Sequence, residues 1–381
     1  MVKRPFWLNK IYRAWQKRSF VWLSGVRRVG KTTLSKMIDD ALYLNCDLPS
    51  TQRLLEDPEF FFKNQSSAQK IIFDEIHRLS DPSQLLKIAA DEFPHLKILA
   101  TGSSTLEATK KFRDSLTGRK ISIHLKPVLW SECTRDFKIN NLDYRLLRGG
   151  LPEWLIDASL SAEFFSEWID SFYARDIQEL FGVRQRLGFL TFFKLLLRQS
   201  GGLADFTQLA KLCGLSRPTV MAHLEILQIA HAIYLLKPFH GGGRKELTQR
   251  PKIYGFDTGF VAFMKGWDTI RPDDRGYLWE HLVLDTLSSV FIEPVLYWRD
   301  KAGHEIDFVI KFRDDSVNTY ECKINPDEFK PNNLKIFRRI YPKGENFLIS
   351  PVVSKPFRRK MDNLIINFVS PDYFTEENII S

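Results

Sequence analysis

Short apolar runs separated by helical stretches fill the first 125 residues. Phe20-Val21-Trp22-Leu23-Ser24 is unbroken, the pattern of a strand buried on both faces. Residues 42–45, 70–73, 96–100 and 121–125 repeat it. Such strands alternating with helices predict a parallel sheet covered on both sides, an α/β fold. The pattern changes after residue 200. Within 204–229, Ala210, Gly214 and Val220 have the spacing of two helices crossing through a tight turn. Ser216 suits the N-cap of the second helix and Pro218 its first turn. Residues 232–236 and 252–256 read as two strands about a glycine-rich basic tip, His240-Gly241-Gly242-Gly243-Arg244-Lys245, together a wing. Further on, 276–283 reads as an apolar helix, and 297–299, 303–310 and 319–323 as strands.

The first chemistry lies between the first strand and a helix expected at 33–38. Gly25-Val26-Arg27-Arg28-Val29-Gly30-Lys31-Thr32 fits G-x-x-x-x-G-K-[ST] in full, in the strand–loop–helix context that the motif requires. Glycines let the backbone curl so that its N–H groups converge on phosphate oxygens, and the helix N-terminus adds positive partial charge. Residues from Gly25 to Thr33 are therefore the expected ATP-binding loop. Lys31 would reach the β- and γ-phosphates, and the Thr32 hydroxyl would face Mg²⁺. The strand Lys70-Ile71-Ile72-Phe73 ends in Asp74 and Glu75. Asp74 is expected in the magnesium shell through water, and Glu75 at the attacking water. Thr101 and Ser103, after the 96–100 strand, stand where a side chain would sense the γ-phosphate, although ordinary turn residues would read the same.

A second group of acids lies near the C-terminus. Glu280 sits in the 276–283 helix, and Asp307 lies within an apolar strand. Glu321-Cys322-Lys323 begins 14 residues after Asp307. Glu321 and Lys323 share one strand face, and a hairpin would bring Asp307 beside them. Two carboxylates suit Mg²⁺, and Lys323 would orient water or stabilise phosphorane charge.

Composition narrows the class. The 381 residues exceed one ordinary core, and 44% hydrophobic with 27% charged residues excludes a disordered chain. No apolar run is long enough to span a membrane. The four cysteines (Cys46, Cys133, Cys213 and Cys322) are scattered, which argues against zinc fingers and for a reducing, cytoplasmic setting. A net charge of +9 suits DNA, and equally a solvated basic surface. Lys3, Arg4, Lys10, Arg13, Lys17 and Arg18 come without an acid, as in a transit peptide. The closeness of the first core strand instead assigns them to the fold.

Together these segments resemble the prokaryotic AAA-type P-loop ATPases with a helical lid, a winged helix and a C-terminal domain related to restriction endonucleases. The likeness rests on residues 27–33, Asp74-Glu75-Ile76, Thr101-Gly102-Ser103-Ser104, Ser115-Leu116-Thr117-Gly118-Arg119 and Leu125-Lys126-Pro127. It implies an AAA sheet over 1–135, a lid over 136–185, a winged helix-turn-helix over 186–266 and a restriction-endonuclease-like domain over 267–381. It also implies Glu75 as catalytic base, and Arg119 as a γ-phosphate or subunit-interface arginine in a homo-oligomer, or a plain surface residue. Gly150-Leu151-Pro152 is similar to an element packing on adenine, or is a turn in which Pro152 starts a helix. Arg175 would reach phosphate or pair with an acid such as Asp176. Arg217, Thr219 and His223 are the polar candidates for base readout, with Arg244 and Lys245 on the wing, unless the module only packs against protein. Asp307, Glu321 and Lys323 resemble a D…E-x-K nuclease core with Glu280 as the helix acid, in either an active nuclease or an inert relative. Arg338, Arg339, Lys343, Lys355, Arg358, Arg359 and Lys360 would suit a phosphate backbone.

Overall fold

A computed structural model describes residues 2–65, 69–102, 106, 112, 114, 116–159, 161, 163–241 and 250–375. Five parallel strands form the N-terminal sheet: β1 (Phe20–Ser24), β2 (Ala41–Asn45), β3 (Lys70–Asp74), β4 (Lys97–Thr101) and β5 (Lys120–His124). Their order is β2-β3-β4-β1-β5, which puts β1 between β4 and β5. Alternation along β1 explains its unbroken apolar sequence. Val21 and Leu23 join the core under the helix Pro5–Lys17, while Phe20 and Trp22 join the opposite core with Phe61, Phe62 and Phe112. The phosphate-loop helix, Lys31–Ser35, starts two residues earlier than expected and is shorter.

The N-terminal basic stretch is not simply a solvated face. Arg4 is buried, and its guanidinium holds the fully buried Glu132 through two bonds, Nε to Oε1 at 2.8 Å and Nη2 to Oε2 at 2.7 Å. It also donates to the carbonyls of Val29 and Lys126. The residues before the first strand therefore brace the phosphate loop from below.

A helical region follows, with Leu142–Arg148, Pro152–Ile156 and Glu163–Phe172, the last running into a π-helical turn at Tyr173–Gln178. The helices Phe206–Cys213 and Arg217–Ile229 meet at Gly214, whose φ of 63° ends the first. Ser216 caps the second helix by accepting from the Thr219 amide at 3.2 Å. β6 (Ile233–Leu236) and β7 (Lys252–Gly255) then pair antiparallel. Arg244 and Lys245 lie outside the described residues.

The C-terminal part is a mixed sheet of six strands: β8 (Leu296–Arg299), β9 (Glu305–Lys311), β10 (Val317–Cys322), β11 (Asn346–Ile349), β12 (Phe357–Met361) and β13 (Leu364–Val369). It packs on the helix Pro272–Val290, whose Leu278, Trp279, Leu282 and Val283 share a core with Phe308, Ile310 and Tyr320. Arg338 departs from its expected place on a phosphate-binding surface. It is buried, and its guanidinium is taken up by Asn346 Oδ1 and the carbonyls of Val317, Tyr341, Lys343 and Glu345.

Candidate active site

The C-terminal ends of the parallel strands meet the expected loop, the usual ligand edge of an open α/β sheet. Gly25 and Gly30 hold backbone φ of 151° and 98°, and a Cβ on Gly25 would approach the Leu125 carbonyl to 2.7 Å. The loop therefore needs glycine at its hinge. A cleft of about 380 Å³ opens there, lined by Gly25, Val26, Arg27, Arg28, Gly30, Lys31, Thr32 and Thr33. Val29 is buried beneath it. Pro152 and Glu75 complete two of its walls.

Polar geometry centres on Asp74, buried at the end of β3. Its Oδ2 accepts from the Thr32 hydroxyl at 2.8 Å and the Tyr43 hydroxyl at 2.6 Å. Its Oδ1 accepts from Thr101 Oγ1 at 2.5 Å, and Thr101 Oγ1 accepts from the Glu75 amide at 3.0 Å. Thr101 therefore ties the two neighbouring acids to β4. Ser103 lies outside the described residues. Lys31 Nζ donates to the carbonyls of Gly25 (2.9 Å) and Val26 (3.3 Å). Burial pushes the Lys31 ammonium below the usual lysine range, opposed by Glu75 and Asp176. Glu75 takes a left-handed backbone conformation, φ 56°, and its Oε2 lies 3.2 Å from His77 Nδ1.

The helical region closes the cleft from the other side. Asp176 accepts from Arg27 Nε at 2.8 Å, and Trp168 Nε1 donates to the Arg27 carbonyl at 3.1 Å. The acid beside Arg175 thus pairs with the loop, while Arg175 itself lines the cleft. Arg119 stands away from this cleft and grips Asp91 with both arms, at 2.6 and 3.0 Å. Sequence reasoning missed Tyr43, His77 and the Arg27–Asp176 pair.

Residues 17–134 match the model of an AAA domain. The chain carries an AAA domain. Residues 139–271 and 275–363 match two further models, each described as a domain of unknown function (DUF8612 and DUF4143). The chain is 27% identical over 323 residues to the uncharacterized protein Rv2008c of Mycobacterium tuberculosis and to Mb2031c of Mycobacterium bovis, spanning 82% of this chain and 72% of each relative. Among solved structures, the Thermotoga maritima RuvB aligns at a TM-score of 0.30 and 15% identity, covering 61% of this chain and 89% of RuvB.

Outside the AAA domain, the expected C-terminal acids do assemble. Asp307 on β9 accepts from the Cys322 amide at 2.8 Å, and its charge bears on Glu321 on β10. Burial first, then the Asp307 charge, raises Glu321 well above the usual carboxylate range and Glu280 to about 8. Burial opposes the Lys323 charge, yet Asp307 and Glu321 hold its ammonium above the usual lysine range. A second cation joins them from outside this sheet. Lys252 on β7 pairs with Glu305 and lies 3.8 Å from Glu280 Oε2, and the Tyr254 hydroxyl donates to Glu280 at 3.2 Å. Among the described residues, no group of three or more His, Cys, Asp or Glu is arranged to hold a metal ion.

The helix-turn-helix offers less than its sequence promised. His223 is buried against Phe189, with ring centroids 5.1 Å apart, so it cannot read bases. Thr219 Oγ1 shares a 2.8 Å hydrogen bond with the capping Ser216 hydroxyl. Arg217 remains exposed at the helix start.

Proposed function

We propose that this protein binds and hydrolyses ATP in the cleft of its AAA domain and uses the cycle to act on nucleic acid. The observation that carries the reading is the hydrogen-bonded array Thr32–Asp74–Thr101, with Glu75 beside it on the cleft wall. In this reading, Lys31 exchanges its carbonyl partners for β- and γ-phosphate oxygens, and the amides of the loop surround them. Thr32 and Asp74, an oxygen-only donor set, are the residues that would hold Mg²⁺, which when bound neutralises phosphate charge. Glu75 orients and polarises the attacking water, His77 positions Glu75, and Pro152 borders the adenine. Glu75→Gln should lower kcat about 10²- to 10⁴-fold while Mg-ATP still binds. An unchanged rate would remove Glu75 from the chemistry.

Support for a nucleic-acid partner is electrostatic. The net charge is +9, Arg217 is exposed, and Arg358, Arg359 and Lys360 are exposed on the edge strand β12. DNA affinity that falls with salt and differs between ATP and ADP is the expected result. In a homo-oligomer, Arg119 would be the arginine offered to a neighbour's nucleotide. Arg119→Ala would then slow hydrolysis without weakening ATP binding. A cytoplasmic setting is part of this reading, in keeping with four cysteines that are all free.

Lys252 favours a second reading for the C-terminal acids: a nucleotide-controlled switch whose nuclease-like domain does not cut. Plasmid incubated with ATP and Mg²⁺ or Mn²⁺ should then stay intact. Nicking that Lys323→Ala abolishes would establish the nuclease instead.

A further inference from the structure

Behind the phosphate loop lies a second cavity, of about 320 Å³, where three parts of the chain meet. The end of β5 and the segment after it supply His124 and Lys126. The turn beyond the second helix of the helix-turn-helix supplies His231, and the helix Pro272–Val290 supplies His281 and Asp285. Val26 of the phosphate loop shares its wall. Neither the ATP cleft nor the C-terminal acids use these polar groups.

Two buried ring nitrogens here, His124 Nδ1 and His231 Nε2, have no hydrogen-bond partner among the described residues. Buried polar atoms are nearly always paired, so such a concentration in one cavity points to a polar occupant. The His124 and His231 rings lie against each other, centroids 3.7 Å apart and tilted by 31°, which fixes their edges. Lys126 Nζ stands 3.2 Å from Asp285 Oδ1 and over the Tyr234 ring, and His281 Nε2 lies 3.9 Å from Asp285 Oδ2. The wall carries one lysine, Lys126, and one acid, Asp285, and an ammonium has three N–H donors to offer. The histidines do not converge as a metal site. An anion would accept from Lys126 and from the imidazole N–H groups. The volume lies at the small end of the range for ligand sites.

We propose that this cavity binds a small anion bearing phosphate or carboxylate oxygens, with Lys126, His124 and His231 as its donors. The test uses the full chain carrying Lys31→Ala, which silences the phosphate loop. It is titrated calorimetrically with inorganic phosphate and, separately, with citrate at fixed ionic strength. Saturable binding is expected, about tenfold or more weaker when Lys126→Gln or the ring-conserving His231→Phe is added. Binding of phosphate alone assigns a phosphate ligand, and binding of citrate alone a carboxylate. Circular dichroism checks each variant, and His231→Phe decides the matter if Lys126→Gln fails to fold. Heat from neither anion, or equal affinity in the folded variants, overturns the proposal.

Discussion

Glu75 holds the left-handed backbone region that non-glycine residues enter at a cost of about 1–3 kcal/mol. Strain at that position is consistent with a side chain retained for chemistry. Glu75→Gly should therefore abolish hydrolysis without lowering the thermal midpoint, because relief of strain offsets the added chain entropy. A midpoint several degrees lower would show that Glu75 is structural. Gly25→Ala makes the opposite demand. Its Cβ would meet the Leu125 carbonyl at 2.7 Å, so the loop must shift and Mg-ATP affinity should fall about tenfold or more. At this scale the sequence was legible where spacing is fixed: Lys31 and Thr32 follow Gly25 at set distances, and Asp74 ends a strand. Tyr43 was not, because it meets Asp74 from 31 residues away, nor was Asp176, which is 149 residues from Arg27. No local pattern announces such partners.

Among the elements, the crossed helices were readable from Gly214 and Ser216, but the exposed face of the second helix was misread. Val220, His223, Leu224 and Leu227 fall at i, i+3, i+4 and i+7, and all four are buried. That stripe marks the inner face, so His223 belonged with the core from the outset. The junction of β5, the turn at His231 and the helix Pro272–Val290 carries a pH prediction. Burial, reinforced by Lys126, lowers His231 to about 3, and burial lowers His281 to about 4 despite Asp285. His124 is depressed too, by burial and then by His231, Lys126, Lys31 and Lys10. The unfolded chain, with histidines near 6.5, binds more protons below that value, so stability should fall as pH drops from about 6.5 toward 4. Chemical denaturation at stepped pH would measure this, and His231→Gln should flatten the slope. A slope unchanged by that substitution would exclude His231 as its source.

For the molecule as a whole, ion pairs join segments far apart in sequence. Arg4 and Glu132 link the first residues to the segment below the phosphate loop, and Lys252 links β7 to the acids of the C-terminal sheet. Arg4→Met would leave Glu132 buried without its partner, at a cost of about 3–5 kcal/mol, and Arg4→Met with Glu132→Leu should recover much of the loss. Equilibrium unfolding of both variants provides the check. The strand patterns were legible in the sequence, but it could not show that a lysine of β7 enters the C-terminal cluster. Lys252 simply precedes an apolar strand, and its role depends on how the parts dock. ATP turnover requires nucleotide capture by the loop from Gly25 to Thr33. Calorimetric titration of the folded chain with Mg-ATP, beside Lys31→Ala, tests it most directly. One nucleotide bound per chain, with affinity reduced tenfold or more by the substitution, is the expected result. A folded parent chain that gives no heat, or a variant that binds equally well, would contradict it.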